Sequence, residues 1–148
     1  MKKIILFISV VFVAISFNSC NNDDDEVVIL DKIIGEWQWD QEFEDGEEYI
    51  LSACEKQSTI EFFQAGTFTS KDFYLEFEND VCTAQDLFNG TWKNLGNSMY
   101  EIEMEIESGV SMGVDVKITF TNNKMTIEFS FTDEDDVTYE LKEIYMKI

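Results

Sequence analysis

Tyr100-Glu101-Ile102-Glu103-Met104-Glu105-Ile106-Glu107 alternates without a break between an apolar and an acidic side chain. A period of two sends successive side chains to opposite faces of an extended strand, so this segment has one dry face and one wet face. Working outward, Val114, Val116, Ile118 and Phe120 repeat the pattern. Asn122-Asn123 supplies a turn pair that tolerates positive φ. Met125, Ile127, Phe129 and Phe131 form the returning face, Asp133 to Asp136 makes the next turn, and Val137, Tyr139 and Leu141 follow. Ile144, Met146 and Ile148 then occupy the other parity, which predicts a β-bulge near Lys142-Glu143 to turn them inward.

Upstream, Ile60 and Phe62 alternate with Glu61, Ala65-Gly66 marks a turn and Phe68 follows it. Phe73, Leu75 and Phe77 alternate with Tyr74, Glu76 and Glu78. Residues 79 to 89 break the alternation, with room for a short helical turn at Ala84-Phe88. Gly90-Thr91-Trp92 opens another strand, and Leu95-Gly96-Asn97-Ser98 turns it back into Tyr100. The reading is about eight to ten short strands with no long helix. Sequential hairpins with one dry face hide that face best by closing into an antiparallel up-and-down barrel of about eight strands. A two-sheet sandwich is the alternative.

The chain has 148 residues, no Arg, no His and a formal net charge of −21. A nucleic-acid partner is excluded in practice, because phosphates require a cationic surface. Without His, zinc sites and His-based triads lose their commonest ligand and base, and neither metal nor cofactor is expected. Thirteen Phe argue for a real core in spite of the charge.

The first residues read as an address. Lys2 and Lys3 precede an apolar run, Ile4 to Phe17, of 14 residues. A membrane span requires roughly 20, so the run fits a secretory h-region. It ends at Phe17-Asn18-Ser19-Cys20 and resembles a bacterial lipoprotein signal, which implies cleavage after Ser19 and acyl chains on Cys20. More than one chain makes such an anchor stable. Asn21-Asn22-Asp23-Asp24-Asp25-Glu26 is a solvated tether, and it is similar to the acidic export tag of Bacteroidetes surface lipoproteins. The expected organisation is a signal peptide over 1–19, a lipidated acidic linker over 20–29 and a barrel over 30–148. The expected location is the outer membrane, facing the cell exterior.

With Cys20 acylated, Cys54 and Cys82 remain as an even pair in an oxidising compartment. They form either a disulfide or two buried thiols.

Ile34-Gly35-Glu36-Trp37 resembles the Gly-x-Trp motif of the first lipocalin strand. Cys54, Ser58 to Phe62, Gly66-Thr67-Phe68, Cys82, Gly90-Thr91-Trp92 and Asn97 follow in an order similar to the lipocalin-like domain of Bacteroidetes lipoproteins. The resemblance covers roughly residues 30 to 148. It implies a ligand-carrying barrel with Trp37 closing one end. Lipocalins set an Arg from a late strand against that Trp. This chain has none, which leaves Lys142 as a candidate substitute.

Candidate lining residues on the inward parity are Trp37, Phe62, Phe73, Phe77 and Trp92. Tyr100, Phe120, Phe129 and Tyr139 complete the set. A cavity among them would take a small hydrophobic or amphipathic ligand. The alternative is a packed barrel serving as a surface adhesion or assembly module for a protein or glycan; Trp39 or Phe63 would anchor it if exposed, and each equally fits a buried place. An enzyme is not expected: Glu101, Glu103, Glu105 and Glu107 are carboxylates on a solvent face, and glycosidase chemistry needs two flanking a cleft. Asp133 to Asp136 is rich in oxygen donors but lacks the spaced ligands of a calcium loop, so it reads as a turn.

Overall fold

The computed structural model describes residues 30–76, 80–85, 87–107, 110–133 and 135–148. The apolar leader, Cys20, the acidic linker and Phe77 lie outside these residues. The strands are β1 (Gly35–Glu44), β2 (Glu47–Tyr49), β3 (Thr59–Phe62), β4 (Thr67–Lys71), β5 (Phe73–Leu75), β6 (Cys82–Ala84), β7 (Phe88–Gly96), β8 (Met99–Glu107), β9 (Val110–Thr121), β10 (Lys124–Thr132) and β11 (Thr138–Lys147). A single 3-10 turn, Glu55–Gln57, precedes β3.

Eight of these strands pair in the order β1-β3-β4-β7-β8-β9-β10-β11, and β11 pairs back onto β1. That last antiparallel pairing closes the sheet and excludes the two-sheet sandwich. Closure removes the exposed edges that an open sheet would offer to other chains. Two short appendages stand outside the ring. β2 folds back on the end of β1, and β5 pairs with β6 in a separate hairpin. Phe73 and Leu75 therefore belong to that hairpin, not to the barrel wall. Ala84 ends β6 and Phe88 begins β7, so strands replace the helical turn expected at Ala84-Phe88.

The register corrects the expected bulge. β10 and β11 pair without interruption from Lys124–Met146 to Thr132–Thr138. The irregularity lies in the other neighbour of β11, between Trp39 and Gln41 of β1. The inward row of β11 is thus Tyr139, Leu141, Glu143 and Tyr145, opposite Phe131, Phe129, Ile127 and Met125. Ile144 and Met146 take the outer face, opposite Thr126 and Lys124.

The core is a continuous cluster from Ile33 and Trp37 through Phe62, Phe68, Tyr100, Ile102, Val116, Ile118, Met125 and Ile127. Gly90 is dictated by packing: a Cβ there would run into the Glu103 carbonyl oxygen and the Phe68 ring. Cys54 and Cys82 are joined in a disulfide, with their Cα atoms 5.5 Å apart. The bond ties the turn before β3 to the β5–β6 hairpin, and closing such a loop contributes about 3 kcal/mol.

Candidate functional site

The barrel has a closed end, where β1 and β4 begin and β3, β7, β9 and β11 finish. Trp37 plugs it. Its indole N–H donates to the Ile33 carbonyl at 2.7 Å, and its ring packs on Phe120 at 5.8 Å between centroids. The Lys147 Nζ stands 5.0 Å over the same ring and donates to the Ile34 carbonyl. Lys147 therefore occupies the place expected of Lys142, which lies over Phe43 instead. Gly35 allows this approach: it has φ +126°, and a Cβ would sit 3.2 Å from the Lys147 side chain.

Hydrogen bonds seal the same end. The Tyr100 hydroxyl and the Asn94 amide both donate to Asp31, at 2.9 and 2.5 Å. Burial opposes the charge on Asp31, but donors from Asn94, Ile33 and Tyr100 outweigh it and hold the carboxyl below its usual range. Burial and the Asp31 carboxylate push the Tyr100 phenol well up. Trp92 stands edge-on to Phe62, its N–H shared between the Phe63 and Thr67 carbonyls. Trp37, Trp92, Tyr100 and Phe120 are plug and packing at this end and stand away from the cavity wall.

The other half of the barrel is hollow. A cavity of about 570 Å³ lies within it, and each of the eight barrel strands contributes to the wall. Its floor is the buried pair Phe62 and Phe68, and its sides include Ile102, Met104, Val116 and Phe129. Ser58, Phe73, Tyr74 and Phe88 form one side of the mouth, near the disulfide. The Ser58 hydroxyl accepts the Phe73 N–H at 2.9 Å and fixes the hairpin against β3. Of the expected lining residues, Phe62, Phe73 and Phe129 thus surround one space. Tyr139 sits at the rim, stacked on Phe131 at 5.0 Å, and donates to Asp133. Asp133 also accepts the Asp135 and Val137 N–H groups, so this acidic run is a hydrogen-bonded turn.

Most side chains of the wall are not in the expected set, and three of them bear on its chemistry. Trp39 takes the inward of the two places open to it, beside Tyr145, and its indole N–H is buried without a hydrogen-bond partner among the described residues. Phe63 does stay exposed. Glu143 and Tyr145 also line the cavity, with the Tyr145 hydroxyl donating to Glu143 Oε2 at 2.9 Å. Burial raises the Glu143 carboxyl to about 7; the Tyr145 bond opposes this, and the Glu42 and Asp72 carboxylates add to it. Burial and Glu143 together raise the Tyr145 phenol strongly. The signal for these residues was the parity shared by Tyr139, Leu141, Glu143 and Tyr145, which the apolar Ile144 and Met146 obscured.

No group of His, Cys, Asp and Glu among the described residues is arranged to hold a metal ion. Two further concavities among the described residues are more open, one at the plugged end beside Leu30, Asp31, Tyr100 and Phe120 and one between Phe43 and Lys142.

The lipocalin-like domain family matches residues 33–127. The crystal structure of a lipocalin-like protein from Bacteroides uniformis ATCC 8492 gives a TM-score of 0.51 at 17% identity, covering 78% of this chain and 98% of that one. The crystal structure of an uncharacterized protein from Bacteroides eggerthii DSM 20697 gives 0.48 at 14% identity, again over 78% and 98%. None of the curated proteins matches the chain. With the family's model spanning β1 to the start of β10, the chain belongs to the lipocalin-like domain family.

Proposed function

We propose that this protein is a lipid-anchored envelope lipoprotein whose barrel carries a small hydrophobic or amphipathic ligand. The observation that carries the reading is the apolar hollow of about 570 Å³ inside the open half of the barrel. Its size lies within the range of ligand pockets, roughly 300–1,000 Å³, and aromatic and aliphatic walls with a few polar groups are what such pockets use. Lipocalin-like barrels commonly bind small hydrophobic ligands and are generally not enzymes, which supports the same role here. Acyl chains on Cys20 would hold the domain at the outer membrane, with the acidic linker extending it from the surface.

The test is native mass spectrometry of residues 21–148 after incubation with lipid and metabolite extracts. The expected result is an adduct of fixed mass that disappears when Phe129→Trp fills the cavity. A bare protein mass against every extract would reject carriage. For the anchor, metabolic labelling with an alkyne fatty acid should mark the wild type and spare Cys20→Ser.

A second reading rests on the rim. Tyr49, Ile50, Leu87 and Phe131 expose apolar surface around the open half, Ile50 to 78% and Leu87 to 61%. An apolar rim of this kind also suits a protein or glycan partner seated on the mouth. Binding that survives cavity filling but fails on Leu87→Asp would favour this reading.

A further inference from the structure

The sign of charge inside the hollow is one-sided. Glu55, Asp72 and Glu143 contribute to the wall, and no Lys does. Two of the three are already engaged. Glu55 accepts the Ser52 N–H and the Tyr49 hydroxyl, and Asp72 accepts the Ser70 hydroxyl at 2.7 Å. Glu143 has one donor, Tyr145, on Oε2; Oε1 receives none among the described residues. It lies opposite Glu42 on β1 and Ile127 on β10, with Asp72 near enough to repel its charge. None of these is a cation. A carboxyl held in such a place lowers stability once ionised and unpaired. An apolar residue would continue the inward row of Leu141 without that penalty. On the same wall, opposite Tyr145, the Trp39 indole N–H is buried with no hydrogen-bond partner among the described residues. Glu143 thus turns one carboxylate oxygen, free of protein donors among the described residues, toward an otherwise largely apolar hollow.

We propose that the barrel's ligand is an amphipathic amine, its hydrocarbon body in the cavity and its ammonium group on the carboxylate of Glu143. This rests on the ligand-carrying reading above and names the chemical class. An ammonium supplies several donors, which satisfies the open oxygen of Glu143, and Tyr145 holds the other oxygen in place. An anionic ligand would meet three carboxylates and no cation. A neutral one would leave Glu143 uncompensated.

The experiment compares dodecylamine, dodecanol and dodecanoate binding to residues 21–148, by calorimetry in 0.5 M NaCl to suppress attraction by the net acidic surface. At pH 8 the amine should bind about tenfold tighter than the alcohol, the scale of one charge-assisted bond in a shielded site. Dodecanoate should bind most weakly. At pH 5.5, where Glu143 holds its proton, the preference for amine over alcohol should fall. Glu143→Gln should bring the ratio of the two affinities close to one at pH 8. Glu101→Gln, on the outer face of β8, should leave that ratio as in the wild type. Equal binding of amine and alcohol by the wild type would overturn the proposal and leave carriage standing. So would an undiminished preference in Glu143→Gln. Failure of all three probes to bind would remove the ligand-carrying reading itself.

Discussion

The two ends of the barrel are built from the same strands and do opposite things. At the closed end the polar groups of the plug are answered: Trp37 by Ile33, Tyr100 and Asn94 by Asp31, and Lys147 by the Trp37 ring and the Ile34 carbonyl. At the open end a largely apolar wall surrounds a hollow, and the Trp39 N–H has no partner among the described residues. A domain whose core served stability alone would pack both halves alike. Packing and hydrogen bonds are concentrated at one end, and the other keeps the hollow.

This contrast fixes a series of expected outcomes. The largest is Trp37→Ala, which removes the plug and should lower unfolding free energy by about 3–5 kcal/mol in urea denaturation. A loss below 1 kcal/mol would mean that the closed end is not the stable one. Next is the disulfide. Cys54→Ser with Cys82→Ser should reduce stability by about 3 kcal/mol and loosen the mouth more than the plug. Hydrogen exchange would show it as faster exchange in β5 and β6 with Ile33 to Trp37 still protected.

Glu143→Gln should act in the other direction. Folded Glu143 keeps its proton up to about pH 7, whereas the unfolded value is 4.5. Between the two the native state binds more protons, so wild-type stability falls as pH rises through that window. The variant lacks this loss. It should match the wild type below pH 4.5 and exceed it by about 1–3 kcal/mol at pH 8. Parallel pH profiles of the two proteins would show that Glu143 is solvated. The smallest effect is Lys147→Met, which keeps the aliphatic stem and deletes the cation over Trp37. It should cost about 0.5–1 kcal/mol, and a zero effect in thermal melts would make the stem the relevant part.

The same contrast explains what could be seen in the sequence. β8, β9 and β10 alternate so cleanly that their faces and turns follow directly, and Gly35-Glu36-Trp37 marks the plug. Closure into a barrel follows from a run of hairpins with one dry face. The cavity wall was only half legible. Phe62, Phe73 and Phe129 stand where the alternation puts them. Trp37, Trp92, Tyr100 and Phe120 share their parity but not their depth, because a period of two gives the face and says nothing of height along the barrel axis. β11 misleads for a different reason. Two apolar residues, Ile144 and Met146, suggest a bulge that would turn them inward, yet the unbroken pairing with β10 sends them out and brings Glu143 and Tyr145 in. An acidic residue on the dry face contradicts the pattern that identifies strands, and such contradictions gather where a structure serves something besides its own stability.

The most direct test of the central claim is a fluorescence titration of residues 21–148 with N-phenyl-1-naphthylamine, an uncharged probe that lights up in apolar surroundings. It is run on the wild type and on Val114→Trp, which fills the hollow from β9. Saturable one-to-one binding by the wild type, weakened at least about tenfold in a variant of undiminished melting temperature, is the expected result. Equal binding by both proteins would place the probe outside the barrel and contradict the claim, as would the absence of saturable binding to the wild type.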